Sequence, residues 1–192
     1  MAIAEDILNT GLSLQARANA FDAFVGTYRD RAVRLAFRLL RGDAAAAEDV
    51  TQNALLRAHR ALANFRQEAS LDTWFYRILV REVHRHRRWQ AVRRMWSAEI
   101  TEAREPVDER PSGDPGLRRR IAKALEQLTA AQREAFVLVH LEGFSISETA
   151  AILGKATGTV KSHLHRALES MRSDLADLRA AKNQQNSIGV KP

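Results

Sequence analysis

The sequence predicts an all-α protein built from two small helical domains joined by a flexible acidic linker. Three observations carry that prediction. On either side of residues 97–116 the apolar residues recur at steps of three and four, and no alternating stretch is long enough for a strand. Three of the four prolines, Pro106, Pro111 and Pro115, fall inside that segment. The charge also changes sign there: residues 1–96 hold 16 basic and 10 acidic side chains, residues 97–117 hold 2 and 6, and residues 118–192 hold 12 and 7.

The first domain, residues 1–96, opens with a helical stripe through Phe21, Phe24, Val25, Tyr28, Ala32, Leu35, Ala36 and Leu39. Gly42-Asp43 breaks it, and Asp43 is placed to cap the next helix. That second helix carries Ala47, Val50, Ala54, Ala58, Ala61 and Leu62 on one side. Ser70 can cap a third, with Leu71, Trp74, Phe75, Ile78 and Leu79 toward a core. No helix runs through the spacing of prolines in 97–116, and Ser112-Gly113-Asp114-Pro115-Gly116 adds turn residues, so this stretch is read as the linker.

The second domain, residues 117–182, is punctuated more sharply. Thr129 and Gln132 form a capping box ahead of Phe136, Val137, Val139, His140 and Leu141, and Gly143 closes that helix. Ser145 and Glu148 form another box, opening a short helix from Ile146 to Leu153. Gly154 supplies a left-handed turn position, and a further helix starts near Thr157 or Gly158 and runs to about Leu178. Two helices joined by a short turn with glycine make a helix-turn-helix. At about 100° per residue, Val160, Leu164, Ala167, Leu168 and Met171 share one arc of the last helix. Lys161, Ser162, His165 and Arg166 share the opposite side, where Lys and Arg reach phosphates or guanine edges. Residues 183–192 read as a flexible polar tail.

Composition narrows the function. The chain of 192 residues has a formal net charge of +7, which favours a polyanionic partner, nucleic acid first and an anionic membrane surface second. Cysteine is absent, which excludes disulfides, thiolate metal sites and cysteine nucleophiles. There is no run of 18 apolar residues, and Met1–Arg17 lacks the basic start and apolar core of a secretory signal, so a cytoplasmic protein is expected. His84 and His86 lie about 200° apart on a helix, as do His163 and His165, so neither pair chelates as a unit. No metal or other cofactor is expected. No glycine-rich phosphate loop or nucleophile elbow is present, and Glu48-Asp49 are adjacent helical residues that point apart, so no enzyme activity is expected.

The third helix of the first domain combines aromatics with base. Trp74, Phe75 and Tyr76 precede Arg77, Arg81, Arg85 and Arg88, which follow helical steps as one stripe. Such a pairing suits single-stranded nucleic acid, where bases stack while phosphates are neutralised. A core tryptophan beside a solvated basic face is the plainer reading of the same residues.

Together the two blocks resemble a bacterial sigma factor of the extracytoplasmic-function (ECF) type, which retains only regions 2 and 4 of the sigma-70 family. Ala47-Glu48-Asp49-Val50-Thr51-Gln52, then Asn64-Phe65-Arg66 and Thr73-Trp74-Phe75-Tyr76-Arg77-Ile78, resemble region 2. Leu128, Gln132-Arg133-Glu134, Glu142-Gly143, Glu148, Ala150 and Gly158-Thr159-Val160-Lys161-Ser162, ending in His165-Arg166-Ala167, resemble region 4. The resemblance implies that Glu48, Asp49, Gln52, Leu55 and Leu56 dock on core RNA polymerase. It assigns Asn64, Phe65, Arg66, Trp74, Arg77, Arg81 and Arg85 to the melted strand of the −10 element. Thr159, Lys161, Ser162, His165 and Arg166 are assigned to the −35 duplex. It further implies an anti-sigma partner, and a linker lying in the polymerase's RNA-exit path. Arg81 stands where the family usually has asparagine, and Leu55 replaces a common aromatic. The alternative from another class is a stand-alone helix-turn-helix repressor or activator, which would have no use for the first block.

Overall fold

The computed structural model describes residues 14–62, 65, 69–96 and 115–176. The tail at 183–192 and nearly all of the predicted linker lie outside them. Helices α1 (Leu14–Leu39), α2 (Ala44–Ala61) and α3 (Leu71–Trp96) form the first unit. Helices α4 (Pro115–Gln127), α5 (Ala130–Phe136), α6 (Ile146–Leu153) and α7 (Thr157–Asp174) form the second. Pro115 opens α4, two residues inside the predicted linker, because a helix's first turn has no use for the missing N–H. Among the described residues, no helix is long and apolar enough to cross a membrane.

The predicted punctuation forms as local chemistry dictates. The Asp43 carboxylate accepts from the Ala46 N–H at 3.0 Å and starts α2. The Ser70 hydroxyl accepts from the Thr73 N–H at 3.2 Å and starts α3. Helix α2 meets its neighbours through small residues: Ala47, Ala54 and Ala58 are fully buried. That brings its backbone close to the bulky Phe24, Leu35 and Leu39 of α1 and Phe75, Leu79 and Val83 of α3, all buried.

One feature departs from the sequence expectation, and one, the arrangement of the two units, is left open by the sequence. The single helix predicted from Thr129 to Gly143 changes pitch: α5 passes into a π-helical turn over Val137–Leu141. The two units are also not merely tethered. Helix α3 packs on α6, and α1 touches α5 and the π turn. Phe144, Ile152 and Val160 of the second unit join the same buried cluster as the first unit's core. A smaller cluster of Ala124, Leu128, Ala167 and Met171 belongs to the second unit alone.

Candidate nucleic-acid and partner interfaces

The helix-turn-helix is set by two caps and one left-handed residue. The Ser145 hydroxyl accepts from the Glu148 N–H at 3.2 Å, while the Glu148 carboxylate accepts from the Ser145 N–H at 2.8 Å. The side-chain and backbone hydrogen bonds from Ser145 hold the Glu148 carboxyl below the usual carboxylate range. Helix α6 ends at Gly154 with φ 63°, a conformation that penalises any residue with a Cβ. The chain then re-enters as α7, whose cap position, Ala156, makes no side-chain cap hydrogen bond. Val160 and Ala167 are fully buried and Met171 nearly so, as the arc predicts.

The opposite side of α7 is open. Thr159, Lys161, Ser162, His165 and Arg166 are all exposed. The Ser162 hydroxyl donates to the Gly158 carbonyl at 3.0 Å, and His165 Nε2 lies 3.3 Å from Glu169. Lys161 and Arg166 make no ion pair among the described residues. They form an exposed donor face near the start of a helix.

A second basic face runs along α3. Arg77, Arg81, Arg85 and Arg88 are all exposed. Glu82, itself buried, pairs with Arg57 of α2 at 2.9 Å and with Arg85. Arg77, Arg81 and Arg88 make no ion pair among the described residues. Arg88 belongs with the candidate set; its place in the helical steps is the signal that includes it. Trp74 is half-buried and packs with Phe65, the ring centroids 5.0 Å apart. Both are partly buried and pack against the core. Asn64 and Arg66 lie outside the described residues.

The third face is on α2. Glu48, Asp49 and Gln52 are exposed, and Leu56 is 50% exposed beside them. Leu55 differs from its companions: it is half-buried and packs against the core. It supports the helix rather than presenting itself with the others. Glu48 pairs with Arg29 of α1 at 2.8 Å in a solvated contact.

Sequence reasoning did not anticipate the seam between the two units. Glu134 of α5 is buried; its carboxylate meets His84 Nε2 at 2.9 Å and Arg87 Nη1 at 2.5 Å, both from α3. Burial pushes that carboxyl up, but the hydrogen bonds and charges of His84 and Arg87 outweigh it, and it sits below the ordinary carboxylate range. Glu142, also buried, accepts from Arg31 Nε at 2.9 Å and from Arg38 Nη1 at 2.8 Å, both on α1. The Arg31 guanidinium lies over the Tyr76 and Phe144 rings, 5.3 and 5.5 Å from their centroids.

Comparison with known proteins gives the family. Residues 24–93 match the family model of sigma-70 region 2, and residues 118–171 that of sigma-70, region 4. The ECF RNA polymerase sigma factor SigM of Mycobacterium tuberculosis is 35% identical over 149 residues, covering 77% of this chain and 73% of that protein. SigE of Mycolicibacterium smegmatis, also an ECF RNA polymerase sigma factor, is 33% identical over 171 residues. That alignment covers 84% of this chain and 64% of the length of SigE. Among solved structures, the sigma factor RpoE from Bartonella quintana, in complex with the anti-sigma factor NepR, superposes with a TM-score of 0.73 at 28% identity. It covers 81% of this chain and 96% of that one. CnrH, in complex with the cytosolic domain of CnrY, shares the fold with a TM-score of 0.63 at 22% identity.

Proposed function

Since the chain belongs to the ECF sigma factors of the sigma-70 family, we propose that it joins core RNA polymerase and directs it to promoters through two separate DNA contacts. The observation that carries this is the exposed donor face of α7 in a capped helix-turn-helix, on the same chain as the basic–aromatic face of α3. Lys161, Ser162, His165 and Arg166, with Thr159 at the helix start, read the −35 duplex in the major groove. The uncapped start of α7 leaves backbone N–H groups to meet a phosphate.

The −10 element is opened as well as read. Arg77, Arg81 and Arg85, extended by Arg88, neutralise the phosphates of the extruded strand, while Phe65 and Trp74 offer aromatic surface for unstacked bases. Asn64 and Arg66 complete that set by resemblance. Glu48, Asp49, Gln52 and Leu56 dock on the polymerase, with Leu55 holding their helix from beneath. The chemistry of RNA synthesis belongs to the polymerase, and this chain acts by positioning and strand capture. An anti-sigma partner that covers these faces keeps the factor inactive until a signal sensed elsewhere releases it.

Reconstitution tests the reading. Purified protein and core polymerase, presented with a genomic promoter library, should give discrete start sites that share two short upstream elements. Specific duplex binding by the protein alone, with no polymerase association, would instead indicate a stand-alone regulator.

A further inference from the structure

Two helices of the first unit share one buried carboxylate. Helices α2 and α3 pack on each other, and the Glu82 side chain of α3 is 7% exposed where they meet. Its Oε1 meets Nε of Arg57 on α2 at 2.9 Å, and its Oε2 meets Nη2 of Arg85, one turn further along α3. Arg57 belongs neither to the polymerase-facing set of α2 nor to the arginine stripe of α3. It lies about 100° around α2 from Leu56, so the two side chains leave the helix on different sides.

The charges in this group do not balance. Two guanidiniums against one carboxylate leave an excess of one positive charge, and Arg88 adds to it. Desolvation, then the charges of Arg57 and Arg88, push the Arg85 guanidinium below its ordinary pKa. Cations gathered round a single carboxylate favour the arrival of a further anion. Donors remain to receive it, since a guanidinium carries five N–H groups in a planar fork. Arg57 spends Nε on Glu82 and keeps both terminal amino groups, while Arg85 spends Nη2 and keeps Nε and Nη1, among the described residues. The two side chains are 52% and 45% exposed, so these donors reach solvent. The neighbourhood says which anion fits. Trp74, Arg77, Arg81, Arg85 and Arg88 follow one another at helical steps of 3, 4, 4 and 3. That row runs for about 20 Å at about 1.5 Å per residue, with an aromatic at its head. A free phosphate would use one place in it, whereas a strand supplies a series of phosphates and bases to stack.

We infer that Arg57 and Arg85, fixed as one unit by the buried Glu82, form a phosphodiester clamp for single-stranded DNA, with Glu82 as its positioning residue. Each arginine holds the carboxylate with one nitrogen and meets the phosphate oxygens with others, so the forks are oriented before the strand arrives. The clamp brings α2 into a surface otherwise made by α3. A lysine at position 57 would not serve in the same way, because its one ammonium cannot hold Glu82 and keep a separate planar fork for a phosphate. The clamp's place at the −10 element rests on the sigma-factor reading; its affinity for a single strand does not.

The test titrates the full-length protein with a short single-stranded DNA of mixed sequence at several salt concentrations. Arg57→Gln should reduce the slope of log K against log salt by about 0.7, the loss of one phosphate contact. Arg60→Gln removes another exposed arginine of α2, one with no ion pair among the described residues, and should leave the slope unchanged. Glu82→Gln decides the role of the carboxylate by its sign. A carboxylate that only offset the arginines would, when neutralised, tighten strand binding; a positioning carboxylate predicts roughly fivefold weaker binding at the same salt, because the forks are no longer fixed. Circular dichroism checks that each variant keeps its helix, and Arg57→Gln carries the test if Glu82→Gln does not. An unchanged slope in Arg57→Gln, an equal loss in Arg60→Gln, or tighter binding by a helical Glu82→Gln overturns the clamp. An equal Arg57-dependent loss of slope with a duplex of the same length overturns the assignment to a single strand. With core polymerase, Arg57→Gln should shorten the lifetime of the open promoter complex several-fold; a matching loss of polymerase affinity would overturn the clamp by placing Arg57 on the polymerase face. Absence of any polymerase complex with the unmutated protein, while the strand titrations behave as stated, counts against the sigma-factor reading and leaves the clamp standing.

Discussion

Arg133 reaches back to Leu125 across the turn between α4 and α5, its Nε donating to the Leu125 carbonyl at 2.9 Å. Its Nη2 donates to the carbonyls of Glu126 and Leu128, each at 3.0 Å. One buried guanidinium thus serves the Glu126 and Leu128 carbonyls where α4 ends and adds a second donor to that of Leu125, which also accepts from the Leu128 N–H at 3.2 Å. Burial lowers its pKa to about 10, with Arg41 and Arg87 adding to the effect, and it remains charged at neutral pH. Arg133→Leu leaves the Glu126 and Leu128 carbonyls without this donor, while the Leu125 carbonyl keeps the Leu128 N–H at 3.2 Å, and it should cost about 2–3 kcal/mol, with Arg133→Lys intermediate because an ammonium lacks the planar fork. Urea denaturation measures it; a loss under about 1 kcal/mol would mean that α4 is held by Leu128 and its apolar neighbours alone.

The turn of the helix-turn-helix gives an ordering rather than a magnitude. No atom lies within 4 Å of where a Cβ would sit on Gly154, so a substitution there meets only the backbone penalty of φ 63°. Gly154→Ala should destabilise by about 1 kcal/mol and Gly154→Asn by less, since asparagine tolerates the left-handed region. Ser145→Ala, which removes the hydroxyl of the capping box, should cost about 1 kcal/mol. Thermal unfolding of the three variants gives the order, and Asn falling below Ala would show that side-chain volume matters at this turn.

The parts of the molecule legible in the sequence are those set by local chemistry. Asp43, Ser70, Thr129 and Ser145 cap the helices that follow them because each rule involves three or four residues. Helix α6 spans Ile146–Leu153 as its box and glycine demand. The arc of Val160, Ala167 and Met171 is likewise a property of one helix. The seam could not be read that way. Glu134 lies 50 residues from His84, and Glu142 lies 111 from Arg31. Neither glutamate differs in sequence from a solvated one. The π turn was hidden for a related reason, since Val137–Leu141 keeps an apolar pattern compatible with either pitch. Leu55 and Leu56 are neighbours of one residue type, and only packing distinguishes the supporting one from the presented one.

That distinction yields a prediction for the polymerase face. Asp49→Ala, Gln52→Ala and Leu56→Ala change exposed side chains and should alter stability by no more than about 0.5 kcal/mol. Each should still weaken core-polymerase binding several-fold. Leu55→Ala, which opens space against the core, should instead lower stability by about 1–2 kcal/mol. Paired melting curves and binding isotherms separate the two classes. Equal stability losses at Leu55 and Leu56 would mean that both face the core in solution.

Salt dependence tests the duplex face. Lys161 and Arg166 are exposed cations with no acidic partner in ion-pair range among the described residues, so both can displace counterions from DNA. Each alanine substitution should reduce the slope of log K against log salt by about 0.9, without loss of polymerase binding. Ser162→Ala should leave the slope unchanged, since its hydroxyl is neutral and already donates to the Gly158 carbonyl. Titrations of a −35 duplex at several salt concentrations read this directly. An unchanged slope in the Lys161→Ala and Arg166→Ala double variant would remove α7 from the phosphate backbone.

Acid should loosen the joint between the two units, and the direction follows from Glu134. Its carboxyl is held below the ordinary value of 4.5 in the folded chain by His84 and Arg87, against the upward push of burial. An unfolded or separated chain releases that carboxyl to its ordinary value and therefore binds more protons in the acid range. The group's contribution is fully present above about pH 4.5 and is lost as pH falls through the lower, folded value. Glu148 acts in the same direction through its Ser145 hydrogen bonds, so part of the acid sensitivity lies within the second unit. Glu134→Gln cannot take up this proton. It should lower stability at neutral pH, because His84 and Arg87 lose their shared carboxylate, and it should flatten the fall in stability between about pH 5 and pH 3. Urea midpoints across that range compare the two proteins. Parallel curves would assign the acid transition to Glu148 and to carboxylates away from the seam.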